Sequence, residues 1–252
     1  MSNPFDLGGK TAIVTGASTG IGQGIAIALA QAGARIAGVA RSAMDATQRT
    51  IEQGGGAFHP VAADLSSIEP VERIIEETVA WSGRLDILVN NAGTFRRTDP
   101  LEFTERDWDD VINLNLKSYF FLAQAFARRV FAQGGGGKIV NIASVLSFQG
   151  GIRIPSYTAS KHGVAGITRL LANEWAAKGI NVNAIAPGYC ITNITQAIRD
   201  DPDRSAAILA RIPAGRWGMP ADMGGAAVFL SSAASDYCHG TILVVDGGWL
   251  AR

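Results

Sequence analysis

The chain is short of the residues that build metal centres and covalent staples. It has two cysteines, Cys190 and Cys238, and three histidines, His59, His162 and His239, in 252 residues. Neither cysteine sits in a C-x-x-C or Cys/His spacing, so no metal site and no disulfide framework is expected. An excess of one charge is missing too, since 22 Lys plus Arg balance 22 Asp plus Glu. Without a net field, neither nucleic acid nor an anionic membrane is an expected partner. There is no run of about 18 uncharged apolar residues to span a bilayer. Met1 to Lys10 holds Asp6 and Gly8-Gly9 without a basic-then-apolar pattern, so no signal peptide is expected there. The expectation is a cytoplasmic protein that handles a small molecule. Repeats and linker-like stretches are also lacking, which predicts one domain over 1–252.

What is present is alternation. Apolar runs of strand length at 11–15, 35–40, 57–62, 85–90, 138–142, 180–185 and 242–245 are separated by helix-length amphipathic segments. The helices are predicted over 21–32 (closed by Gly33), up to about Gly54, 67–81 with Ser66 as N-cap, 104–131 and 156–178. Thr104-Glu-Arg-Asp107 is a candidate capping box for one long helix. This rhythm predicts the α/β class: a doubly wound, seven-stranded parallel sheet with helices on both faces.

The first strand runs into Thr15-Gly16-Ala17-Ser18-Thr19-Gly20-Ile21-Gly22. Glycines at these positions let a phosphate approach backbone N–H groups at a helix N-terminus. A tight turn packing helix on strand needs glycine as well, so the loop alone does not decide the matter. Asn90-Asn91-Ala92-Gly93 follows the fourth strand and Pro187-Gly188 the sixth. Tyr157 and Lys161 lie four apart on one predicted helix face. An ammonium beside a phenol favours the phenolate and lowers a pKa that is near 10 in isolation, which makes a usable general acid/base. Ser144, just past the fifth strand, can donate a hydrogen bond to a substrate oxygen. Taken alone, Tyr157 and Lys161 also describe an ordinary pair on a surface helix.

In this order and at these strand ends, the three glycine-containing motifs resemble those of the short-chain dehydrogenase/reductase superfamily, which implies a Rossmann-type fold. The resemblance implies a catalytic set of Ser144, Tyr157, Lys161 and Asn115, the last holding a water in a proton relay with the lysine. From sequence alone Asn115 equally reads as a helix-packing residue. It also implies a nicotinamide cofactor bound by Gly16, Ser18, Thr19, Gly20, Ile21, Gly22, Asp64, Leu65, Asn91, Ala92, Gly93, Tyr157, Lys161, Pro187, Gly188, Cys190 and Thr192. At the end of the second strand, Arg41 and Ser42 replace the acidic residue that would repel a 2′-phosphate, so NADP(H) is expected over NAD(H). Arg41 stacking on adenine leaves NAD(H) possible, and Thr19 stands where many NADP-using relatives carry a second base.

Arginines gather near the expected cleft: Arg96, Arg97, Arg153, Arg211 and Arg216. Arg153 lies four residues before Tyr157 and is the candidate partner of a substrate carboxylate, beside Ser144 and Tyr157. Longer stretches, 147–157, 211–218 and 246–252, resemble the 2-keto-3-deoxygluconate 5-dehydrogenases. That implies a keto-deoxy sugar acid from pectin or uronate breakdown as substrate and a homotetramer as assembly. A 3-oxoacyl-thioester reductase shares the catalytic motifs and is the alternative enzyme. A redox-sensing cofactor-binding protein is the non-enzyme alternative, against which the intact Ser144, Tyr157 and Lys161 argue. Residues 191–211 are the expected substrate lid.

Overall fold

Thr11–Thr15 (β1) is buried along its whole length, as a strand covered on both faces of a parallel sheet must be. The computed structural model describes residues 3–252; Met1 and Ser2, which open the stretch without a signal-peptide pattern, lie outside the described residues. Six further strands join β1: Arg35–Ala40 (β2), Phe58–Ala62 (β3), Ile87–Asn90 (β4), Gly137–Ile142 (β5), Ile180–Pro187 (β6) and Ile242–Val245 (β7). All pair in parallel, in the order β3-β2-β1-β4-β5-β6-β7. The order reverses between β1 and β4, which leaves a crevice at their carboxyl ends.

The helices are Gly20–Gln31 (α1), Asp45–Gln53 (α2), Val71–Ser82 (α3), Glu105–Ile112 (α4), Ser118–Ala132 (α5), Pro155–Trp175 (α6), Gln196–Arg199 (α7), Pro202–Leu209 (α8) and Gly224–Ser231 (α9). On one face Ile25 and Leu29 of α1 and Ala227 and Leu230 of α9 pack on Val14, Ile36 and Ile185. On the other, Ile74 of α3 and Leu122 and Phe126 of α5 pack on Ile13, Val39 and Leu88. The expected doubly wound α/β architecture is present in one domain.

Two local expectations change. The helix expected from Ser67 with Ser66 as N-cap begins at Val71 instead, with Pro70 at the N-cap. A proline drives the residue before it out of the α region, so Glu69 cannot continue a helix. Ser66 donates its N–H to Asp64 Oδ1 at 2.9 Å. Thr104 does cap the long helix, accepting from the Asp107 N–H at 3.1 Å. That helix is not uniform, however, because Asn113–Lys117 between α4 and α5 forms a π-helical turn. Such turns are rare and concentrate at functional sites.

Candidate active site

A cleft of about 730 Å³ opens at the carboxyl ends of the strands. Gly16, Ser18, Thr19, Gly20 and Ile21 line it after β1, Arg41 and Ser42 after β2, and Asp64 and Leu65 after β3. Asn91, Ala92 and Gly93 line it after β4, Ser144 after β5, and Pro187, Gly188, Cys190 and Thr192 from the end of β6 onward. Tyr157 and Lys161 of α6 close the wall. Residues separated by up to 179 positions in sequence, Gly16 to Thr195, thus meet in one crevice.

The glycine loop fits a dinucleotide for a local reason. Gly16 and Gly20 sit at φ 69° and 59°, where a side chain would be strained. A Cβ on Gly16 would also lie 2.7 Å from Asn91 Nδ2. Thr19 at the N-cap of α1 makes no side-chain capping bond, so first-turn N–H groups are left for an anionic group. Gly22 does not line the cleft; its missing Cβ makes room for the Gly16 carbonyl and the Asn91 amide. The second motif acts as a brace. Thr15 Oγ1 accepts from the Asn91 and Ala92 N–H groups, each at 2.9 Å, and Asn91 Nδ2 donates to Thr15 O at 2.8 Å. Behind the loop, Thr47 Oγ1 donates to Ala17 O at 2.8 Å.

At the far end of the crevice, exposed Arg41 faces Asp64 at 3.7 Å. The Ser66 N–H, and then Arg41, hold the Asp64 carboxyl below the usual carboxylate range. Arg41 therefore stands over the cleft as a cation only loosely held, which suits an incoming phosphate.

The reacting groups lie at the other end. Ser144 Oγ accepts from the Leu146 N–H at 3.1 Å, which leaves its own hydrogen to donate. Lys161 is buried, donates from Nζ to Ile142 O at 2.6 Å, and lies 5.6 Å from the Tyr157 ring centre and 5.4 Å from that of Tyr119. Burial brings Lys161 down to about 7. The expected lowering of Tyr157 by its lysine is not what this geometry gives: burial raises the phenol, with the Ser144 hydroxyl opposing it. The reason is that an amine with no carboxylate nearby pays the same desolvation as the phenol and is only partly charged at neutral pH.

Besides Gly22, the structure places two further candidates off the cleft wall. Asn115 is fully buried in the π turn, where its Oδ1 accepts from Thr94 N at 2.9 Å and its Nδ2 donates to Thr94 O at 2.8 Å. It thus holds the strand-end loop that carries Gly93. Arg153 is exposed, beyond the cleft's rim, on the segment leading into α6. Sequence reasoning missed the aromatic group beside the chemistry. Tyr189 packs at 4.7 Å from Trp249 and 5.7 Å from Trp217, in an apolar cluster with Tyr157, Ile198, Ile208 and Ile212. Only the dense run Arg211–Trp217 and the Trp249 tail hinted at it. Among the described residues no group of His, Cys, Asp and Glu could hold a metal ion, and no helix is long and apolar enough to cross a membrane.

Comparison with known proteins now decides the family. Residues 16–250 match the family model described as Enoyl-(Acyl carrier protein) reductase. The chain is 60% identical over 251 residues to the 2-dehydro-3-deoxy-D-gluconate 5-dehydrogenase of Escherichia coli K12, with 98% of each chain covered. The chain is a short-chain dehydrogenase/reductase. This dehydrogenase is also similar to a solved Agrobacterium tumefaciens protein, proposed to be a 2-deoxy-D-gluconate 3-dehydrogenase, that carries bound NADP (59% identity, TM-score 0.94, 100% of both chains). A gluconate 5-dehydrogenase from Burkholderia cenocepacia, solved with NADP and tartrate, superposes with a TM-score of 0.93 at 40% identity over 99% of this dehydrogenase and 98% of that chain.

Proposed function

We propose that the dehydrogenase moves a hydride between NADP(H) and the C5 oxygen-bearing carbon of 2-keto-3-deoxygluconate, the compound also called 2-dehydro-3-deoxy-D-gluconate. The observation that carries this is the union of a dinucleotide crevice with Ser144, Tyr157 and Lys161 at its inner end, in a chain 60% identical to a named 2-dehydro-3-deoxy-D-gluconate 5-dehydrogenase. Gly16, Ser18, Thr19 and Gly20 would hold the pyrophosphate, Asp64 and Leu65 the adenine, and Arg41 with Ser42 the 2′-phosphate. When bound, the nicotinamide supplies or accepts the hydride.

The chain's own groups handle the oxygen. Ser144 donates its free hydrogen to the substrate oxygen and so favours the developing alkoxide. Tyr157, kept protonated by its burial, holds the proton given to that oxygen in reduction. Lys161, at about 7, exchanges protons at neutral pH and restores Tyr157. Asn115 keeps the Gly93–Thr94 loop in register and is the group through which a relay water would be held. Residues 191–211 act as the lid, Ile198 and Ile208 seating it on the aromatic cluster.

The test is absorbance of reduced nicotinamide with 2-keto-3-deoxygluconate and NADP or NAD in parallel. Turnover with wild type, reduced at least about 10²-fold in Tyr157→Phe, is expected. Absence of turnover with either cofactor sinks the sugar-acid assignment. Arg41→Asp is expected to lower kcat/KM for NADPH about 10- to 100-fold, the scale of a charge-assisted hydrogen bond. An unchanged NADPH constant overturns the clamp. The finer reading of a cytoplasmic homotetramer is supported by two free thiols, Cys190 and Cys238, and by exposed apolar side chains such as Phe131 and Leu170. Light scattering of the purified protein measures the subunit number.

A further inference from the structure

The structure sorts the arginines that surround the substrate end. Arg96 is committed, bonding Asp110 at 2.8 Å and approaching Asp107 at 3.7 Å. Arg216 forks onto Asp222 at 2.7 and 2.9 Å. Arg211 lies 3.9 Å over the Trp249 ring. Three others differ. Among the described residues, the guanidinium groups of Arg97, Arg153 and Arg204 make no ion pair and no hydrogen bond.

These three come from separate elements and converge. Arg97 is in the loop after β4, and its neighbour Thr98 donates its N–H to Arg153 O at 3.1 Å, which ties that loop to the segment before α6. Arg153 sits at φ 64°, the only non-glycine residue in the left-handed region among the described residues. That conformation costs on the order of 1 kcal/mol or more and is otherwise left to glycine. Arg204 is on α8, within the proposed lid, four residues before Ile208 and so on the same helix side. Ile208 is buried in the cluster that includes Tyr157 and Tyr189. Partial burial, and then the nearby charges of Arg204 and Arg153, hold the Arg97 guanidinium below the usual arginine range. The one opposing influence is Tyr189, which also acts on Tyr157. Tyr189 thus lies near both Arg97 and the reacting phenol, and no carboxylate is among the groups that act on Arg97.

We propose that Arg97, Arg153 and Arg204 form a seat for the substrate's carboxylate, and that Arg204 makes this carboxylate the latch of the lid. Three like charges from three chain segments repel one another until an anion joins them. A carboxylate accepts bidentate bonds from one guanidinium and has lone pairs left for a second. An acid substrate thus draws α8 toward the two fixed arginines, closing the lid over itself; a neutral carbonyl compound does not. The seat rests on the sugar-acid reading above and adds how the acid group is selected.

The experiment compares wild type, Arg204→Met, Arg153→Met and Arg97→Met in oxidising 2-keto-3-deoxygluconate and its uncharged amide, with the hydride acceptor NADP+ saturating. In each variant the acid-to-amide ratio of kcat/KM is expected to fall tenfold or more, through KM for the acid. Arg204→Lys, which keeps the charge without the fork, should fall between. Equal losses on acid and amide would show a structural role and overturn the seat, as would no change on the acid. A readout without turnover separates this from failure of the sugar-acid reading. Amide hydrogen exchange across residues 196–209 is expected to slow when tartrate or gluconate is added to the wild-type NADP complex and not in Arg204→Met. If neither anion slows exchange in wild type, the latch is wrong whatever the enzyme turns over. If exchange slows but 2-keto-3-deoxygluconate is not turned over, the seat stands and the named substrate falls.

Discussion

At the glycine-loop end of the cleft the polar groups are tied down before any ligand arrives: Thr15 Oγ1 holds Asn91 and Ala92, Asn91 holds Thr15, and Thr47 holds Ala17. At the substrate end, Arg97 and Arg153 are exposed, Arg204 is half-buried, and the guanidinium groups have no polar partner among the described residues. A site of the first kind binds with little ordering cost and little choice of shape. One of the second kind is completed by its ligand, and the ligand's charge decides whether it closes. The cofactor end is shared by enzymes with many substrates, so the discriminating residues belong at the other end.

Three changes test how far this contrast goes. The largest effect is expected at Lys161, the buried amine among the reacting groups where the two ends meet. Its amine is buried and held at about 7, below an unfolded value near 10.4. A lowered lysine means that folding expels a proton between those values, so wild-type stability rises with pH through that window. Lys161→Met should accordingly raise stability by on the order of a few kcal/mol below pH 7, less about 1 kcal/mol for the lost Ile142 bond. The gain should shrink as pH approaches 10, as read from thermal melts at pH 6 and 9. A gain that stays the same at pH 6 and pH 9 would show that the amine is charged in the fold.

Next is Gly22→Ala, which puts a methyl group into the Gly16 carbonyl. Overpacking of this kind costs about 1–3 kcal/mol and moves the phosphate loop. A lower Tm together with a raised KM for NADPH is expected; a lower Tm alone would mean that the loop is less pre-built than its bonds suggest. The smallest effect is expected at Asp201, whose carboxylate accepts from the Arg204 N–H at 3.1 Å and caps α8. Asp201→Ala should cost about 1 kcal/mol within that helix. Faster amide exchange over 202–209 with a global Tm shift of less than about 2 °C would mark the lid as a unit that opens by itself. A full loss of Tm would join the lid to the core.

The sheet was legible because its strands are short, buried and strongly apolar, such as Ala12-Ile-Val14 in β1 and Ile87-Leu-Val89 in β4, spaced by helix-length amphipathic segments. The phosphate loop and the Tyr157/Lys161 pair were legible because their chemistry dictates short spacings on one element. The start of α3 was misjudged because Ser66 looks like a cap and its true partner, Asp64, is visible only in the folded turn. Arg204 was missed, and Arg96 not told apart from Arg97, for a related reason: whether an arginine is free depends on carboxylates brought from elsewhere, as Asp110 is to Arg96. Nor does spacing reveal a dielectric, so the raised Tyr157 and lowered Lys161 needed the burial of α6.

The π turn at Asn113–Lys117 makes the helix from Glu105 to Ala132 one residue richer than a plain α-helix spanning the same distance. Its two halves are therefore out of phase by about one residue, roughly 100° of rotation and 1.5 Å of rise. Tyr119 and Phe126 face the core from one half while Asp110 meets Arg96 from the other. Deleting a single residue there would leave composition, hydropathy and helix content almost untouched. It would nevertheless swing Asp110 away from Arg96 and unhook Asn115 from Thr94, so that a chain of nearly the same sequence would keep its sheet and lose the alignment of its two binding ends.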